Sequence, residues 1–133
     1  MITAVDTAVL ISIDQGEPDG TFWLEQLKQA RRSGALVICD VVAAEFFASI
    51  MDEAECLNIM KALGLTITPL SISASFHAGS VFRKYREARG PREHLIPDFL
   101  IAAHAQVVCD RLLSPDRGYL RQYFPDLHVI RPE

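Results

Sequence analysis

The sequence predicts an α/β fold with a central twisted parallel sheet of about five strands flanked by helices. Three observations carry that reading. Short β-rich or fully apolar runs recur along the chain at Ile2–Val5, Ala35–Cys39, Leu65–Thr68, Arg111–Leu113 and Leu127–Ile130. Helix-patterned segments separate them, and an alternation of strand and helix selects a parallel sheet with right-handed crossovers. Several runs also stop abruptly, at Asp6, Asp40 and Pro69, and ligands of such sheets bind beyond the carboxyl ends of the strands.

Each element follows from local chemistry. Ile2–Val5 ends at Asp6-Thr7 and is followed by an apolar helical turn, Ala8–Ile13; the segment from Asp14 to Gly20 has turn composition. Thr21–Arg32 sets Phe22, Leu24, Leu27 and Ala30 against Glu25, Lys28, Gln29, Arg31 and Arg32, an amphipathic helix stopped by Ser33-Gly34. Ala35–Cys39 is apolar throughout, as in a strand covered on both faces. Asp40 opens a helix predicted to run to about Met51, and Asp52–Leu63 forms another, closed by Gly64. Leu65–Thr68 is ended by Pro69, and Ser73–Arg89 is a long helix ended by Gly90-Pro91. The next helix opens at Pro97, whose missing N–H is harmless in a first turn. From Phe99 to Val108 it is apolar nearly all round, so it is expected in the core. Arg111–Leu113, the turn from Ser114 to Gly118, a helical segment to about Tyr123 and Leu127–Ile130 complete the chain. No repeat, linker or low-complexity segment interrupts it, so residues 1–133 are expected to form a single domain.

Composition narrows the class. Half of the 133 residues are hydrophobic and 23% are charged, enough to bury a core and unlike a disordered chain. Met-Ile-Thr-Ala-Val-Asp lacks the basic flank and apolar stretch of a signal peptide, and no run reaches membrane-spanning length. Cys39, Cys56 and Cys109 are odd in number and without metal-type spacing, which fits buried free thiols in a reducing cytoplasm. A net charge of −4 argues against a sequence-independent coat for duplex DNA and leaves room for a local basic patch.

Four carboxylates attract attention. Asp6 and Asp116 follow strand ends; each also fits a helix cap or turn residue. Asp98 lies at the lip of the apolar helix, where the helix N-terminus alone could account for it. Glu45 stands in Val41-Val-Ala-Ala-Glu-Phe-Phe-Ala48 with only Ser49 polar one turn away, so it is expected half-buried and in need of a partner. Asp40 fits a plain N-cap, and Asp52, Glu53 and Glu55 fit solvated charge at a helix start. Convergent carboxylates without matching Cys or His spacing suit a hard cation, Mg²⁺ or Mn²⁺, and the chemistry such a site offers is phosphodiester hydrolysis. His77, His94 and His128 are scattered, and His104 reads as a packed core histidine. Serine-nucleophile, P-loop and dinucleotide glycine patterns are absent.

Arg83, Lys84, Arg86, Arg89 and Arg92 face only Glu87 in the stretch before Asp98. This patch reads either as a solvated helix face or as a binding surface for RNA phosphates, with Tyr85 as a stacking residue. Arg117 is a further candidate for contacting the scissile phosphate.

Val5-Asp6-Thr7, Ala44-Glu45-Phe46, Pro97-Asp98-Phe-Leu-Ile-Ala-Ala103 and Leu112-Leu-Ser-Pro-Asp116 resemble, in order and spacing, the PIN-domain ribonucleases, and most of all the VapC toxins of toxin–antitoxin pairs. The resemblance runs from end to end. It implies a Mg²⁺- or Mn²⁺-dependent endoribonuclease cutting tRNA, rRNA or mRNA, dimeric, and inhibited by a VapB-like antitoxin. By position it assigns Asp6, Glu45, Asp98 and Asp116 as catalytic metal-binding acids, with Thr7 and Ser114 in support. The chain departs from many relatives in having Arg117-Gly118-Tyr119 where a further acid follows, which leaves a second metal position open. Two other acid-bound Mg²⁺ folds fit less well. A phosphoacceptor receiver domain needs a lysine at a late strand end, and Lys28, Lys61 and Lys84 lie elsewhere; a haloacid-dehalogenase phosphatase needs an Asp at Ala8. A PIN nuclease of RNA processing without an antitoxin, or a silent binding module, remains the alternative.

Overall fold

The computed structural model describes residues 1–88, 96–115 and 118–132. Five strands, β1 (Ile2–Val5), β2 (Ala35–Cys39), β3 (Leu65–Thr68), β4 (Arg111–Leu113) and β5 (Val129–Ile130), form one sheet in the order β3-β2-β1-β4-β5. Every neighbouring pair is parallel, as the alternation of elements predicts. The helices are α1 (Thr7–Asp14), α2 (Gly20–Ser33), α3 (Asp40–Phe47), α4 (Glu53–Leu63), α5 (Ile72–Glu87), α6 (Ile96–Val108) and α7 (Tyr119–Tyr123). α5 packs along α6, α1 packs against α2 and α3, and α3 touches α6.

The core follows the apolar pattern. Trp23 and Leu27 of α2, Val37 and Ile38 of β2, Phe46 of α3, Phe99 and Ala102 of α6, and Leu112 and Leu113 of β4 are all buried in one cluster. Removing each large side chain from water contributes about 1.5–3 kcal/mol, and the central strands are covered on both faces.

Five expectations need correction. α3 ends at Phe47 instead of continuing to about Met51. Ser49 donates its hydroxyl to Phe46 O, and the Ile50 N–H turns back to Phe47 O, so local bonds replace the helical ladder. β5 starts at Val129 rather than Leu127, because the Leu127 N–H is committed to a turn on Phe124 O. Asp40 is the first residue inside α3, with Cys39 in the cap position. α6 is buried through its middle, but Val107 and Val108 at its end are exposed. Cys39 and Cys56 are buried free thiols as expected, whereas Cys109 is only half-buried.

The chain runs outward from β1 through β2 to β3 and then returns across the sheet to β4 and β5. The reversal lies between β1 and β4, so the carboxyl ends of those two strands flank the crevice that open α/β sheets use for ligands. Asp6 and Ser114 are the residues that follow them.

Candidate active site

A cleft of about 210 Å³ opens at this point, lined by Asp6, Thr7, Ala8, Ile11, Glu45, Asp98, Ile101 and Pro115. Three of the four acids singled out in the sequence therefore share one cavity. They come from three elements: the end of β1, the middle of α3 and the first turn of α6.

Asp6 occupies the N-cap position of α1, yet its side chain accepts no backbone N–H of that helix. Its own N–H donates to Leu113 O at 3.0 Å, and Ser114 Oγ donates to Asp6 Oδ2 at 2.6 Å. Ser114 is itself buried and held by its N–H on Ile130 O at 3.1 Å. The plain capping reading of Asp6 thus fails: an acid that forgoes a cap loses about 1 kcal/mol of helix stabilisation, and this carboxylate is oriented by a hydroxyl at the cleft.

Thr7, buried at the start of α1, donates its hydroxyl to Glu45 Oε1 at 2.7 Å. Glu45 has the partner the sequence called for, but it is exposed rather than half-buried. The exposed residues around it are Ala44 of α3 and, just past the helix end, Ala48 and Ser49. Alanine carries too little apolar surface to mark a buried face, so a lack of polar neighbours misleads there. Asp98 is half-buried in the first turn of α6, and the positive ends of α1 and α6 both meet the cleft.

All donors here are oxygens, a set that fits Mg²⁺ or Mn²⁺ and not zinc. Among the described residues no three carboxylates, imidazoles or thiols stand close enough to form a ready-made metal cluster. Mg²⁺ does not require one, since it keeps several waters and takes one or two carboxylates. Asp116, the fourth acid, lies outside the described residues, as do Arg89, Arg92, His94 and Arg117.

Arg83, Lys84 and Arg86 are exposed on the last turns of α5. Phe82 and Tyr85 meet Phe99 with ring centroids 5.2 and 5.1 Å apart, which sets this basic end beside the start of α6 and Asp98. The Arg86 guanidinium lies 5.8 Å from the Phe82 ring centre. Tyr85 is not available for stacking on a nucleobase: it is 3% exposed, wedged among Phe82, Phe99 and Tyr123.

Among the described residues no histidine lines the cleft. His104 is buried on α6 with Nε2 2.6 Å from Thr68 Oγ1; burial pulls its pKa below the usual 6.5, with the Asp40 charge opposing. His77 Nε2 pairs with Gln106 Oε1 at 3.0 Å. Burial also pushes the Cys109 thiol up to about 11, helped by the charge of Asp110.

The apolar walls Ile11, Ile101 and Pro115 were not legible as site residues, because such side chains look like core in a sequence. Ser114 and Thr7 gave no signal of their own beyond the family resemblance.

The sequence matches the PIN domain over residues 3–125. No curated protein sequence matches it closely enough to count as a relative. Solved structures do match. One is VapBC2 from Rickettsia felis bound to a DNA fragment from its promoter, with TM-score 0.75, 18% identity and full coverage of both chains. Another is VapBC-1 from nontypeable Haemophilus influenzae, with TM-score 0.71, 18% identity and 98% of each chain covered. A third is FitAcB from Neisseria gonorrhoeae, with TM-score 0.58 and 22% identity over 99% of this chain and 98% of the other. At these identities the likeness carries the fold, and the family match carries the rest: the chain belongs to the PIN-domain family.

Proposed function

We propose that this chain, acting as a single PIN domain, is a Mg²⁺- or Mn²⁺-dependent endoribonuclease and the toxin of a VapBC-type pair. The observation that carries the reading is the shared cleft of Asp6, Glu45 and Asp98, with Ser114 bonded to the first acid and Thr7 to the second. The solved neighbours are toxin–antitoxin complexes, which supports a VapB-like partner; a homodimer is what the family resemblance implies.

Asp6, Glu45 and Asp98, together with Asp116, would hold the cation. When bound, a divalent ion supplies charge stabilisation and a water acidic enough to act as nucleophile near neutral pH. The protein's part is orientation. Ser114 and Thr7 each fix one carboxylate oxygen, so the acids need not reorganise when substrate arrives. The positive helix ends of α1 and α6 offset the crowding of negative charge. Arg83 and Arg86 offer donors to backbone phosphates entering beside Asp98, with Arg89, Arg92 and Arg117 as further candidates. The substrate is unpaired or looped RNA within tRNA, rRNA or mRNA, because splayed bases are what such surfaces can reach. Without RNA, the acidic cleft suits an arginine of the antitoxin, which can pair bidentately with a carboxylate.

The test is cleavage of labelled unpaired and hairpin RNA by purified protein in Mn²⁺, with EDTA and Asp98→Asn as controls. Cutting should require the metal. Asp98→Asn should lose more than the roughly 10–100-fold typical of a supporting residue, while keeping its circular dichroism. If no RNA is cut and expression does not slow growth, the nuclease-toxin reading fails.

A further inference from the structure

A second cavity, of about 220 Å³, lies at the outer edge of the sheet between α7 and β5. Phe124, Leu127 and Val129 give it apolar walls, and Arg121, His128 and Arg131 stand around them, all three exposed. Two guanidinium groups and an imidazole around one apolar pocket are notable in a chain of net charge −4.

The sheet register relates this pocket to the acidic cleft. Val5 pairs with Leu113, and Leu113 with Ile130. The residues that follow, Asp6, Ser114 and Arg131, therefore stand in one row along the carboxyl edge of the sheet. With strands about 4.8 Å apart, the Arg131 backbone is about 10 Å from that of Asp6. A carboxylate, a hydroxyl and a guanidinium thus follow one another across three adjacent strands.

We propose that this pocket is a nucleotide subsite of the same nuclease, holding an unpaired nucleotide of the RNA near the bond cleaved at Asp6; the inference rests on the nuclease reading above. The base lies against Leu127 and Val129, with His128 or a guanidinium plane to stack on, as single-stranded RNA is commonly held. The flanking phosphates meet Arg121 and Arg131. Each of these arginines already makes an interaction within the chain, and five N–H donors per side chain leave others for phosphate oxygens. Charge decides the occupant: a cationic rim favours a polyanion, and Arg131, in the row with Ser114 and Asp6, puts one side of the pocket on the same edge of the sheet as the cleft where a phosphodiester would be cut.

The experiment measures cleavage of an unpaired RNA 12-mer in Mn²⁺ by wild type, the double variant Arg121→Ala/Arg131→Ala, the lysine pair Arg121→Lys/Arg131→Lys, and Lys61→Ala as a remote control. Binding is followed in parallel in EDTA across salt concentrations. The alanine pair should raise KM about tenfold, with the effect falling mainly on KM, and lower the salt slope by about 0.7 per arginine. The lysine pair should restore the slope, which a merely misfolded variant could not do. If wild type cleaves and the alanine pair has unchanged KM and slope, the subsite is overturned and the nuclease reading stands. If wild type cleaves no RNA, both fall. If poly-L-glutamate binding depends on these arginines while RNA binding does not, the pocket belongs to an acidic protein and the inference is overturned.

Discussion

Asp6 and Asp52 both precede a helix, and only Asp52 caps one. Its carboxylate accepts the Ala54 N–H at 3.0 Å, whereas the Asp6 carboxylate accepts no N–H of α1 and takes the Ser114 hydroxyl instead. A sequence cannot separate the two, since the residue type and its place before a helix are the same. The separation is testable. Asp52→Ala should destabilise the protein by about 1 kcal/mol and leave RNA cleavage near wild type. Asp6→Asn should abolish cleavage with little change in denaturant midpoint. Equal stability losses in the two variants would return Asp6 to a structural role. Glu45 carries a similar lesson: the sequence signalled that it needs a partner but not its exposure, because alanines around it imitate a buried face.

At the scale of elements, the strands were the most legible. β1, β2, β3 and β4 fall on the residues expected, because continuous apolar or β-branched runs end sharply at Asp, Pro or Ser. Ends governed by side-chain competition were not legible, as Ser49 in stopping α3 illustrates. The packing of α6 on β3 has a pH signature. His104 is buried against Thr68 with its pKa below 6.5, so the unfolded chain binds a proton that the folded one resists. Its contribution is complete above pH 6.5 and is lost as pH falls from there through the lowered folded value, with a slope of at most about 1.4 kcal/mol per pH unit. Melting temperature should therefore drop between pH 7.5 and 5.5, and His104→Gln should flatten that drop. An identical pH profile in the variant would rule out His104 as its source.

For the whole molecule, a parallel sheet was implied by alternation, but the order β3-β2-β1-β4-β5 and its point of reversal were not, since strand order depends on which helices pack where. That reversal gathers acids from β1, α3 and α6, so a cation binding only the folded state should stabilise it. Mg²⁺ at 100 times its dissociation constant contributes about 2.7 kcal/mol, or roughly 5–10 °C in melting temperature for a domain of this size. A calorimetric scan in EDTA and in Mg²⁺ checks this, and an unchanged melt across millimolar Mg²⁺ would count against the proposed metal site. The bond between Ser114 and Asp6 spans 108 residues of sequence. During synthesis Asp6 is made 108 residues before its anchoring hydroxyl, and β4 comes just ahead of that hydroxyl. A nascent chain, or one cut short before Ser114, therefore has half a cleft. Whatever the complete cleft does, it can do only after Ser114 has been made and β4 has paired with β1.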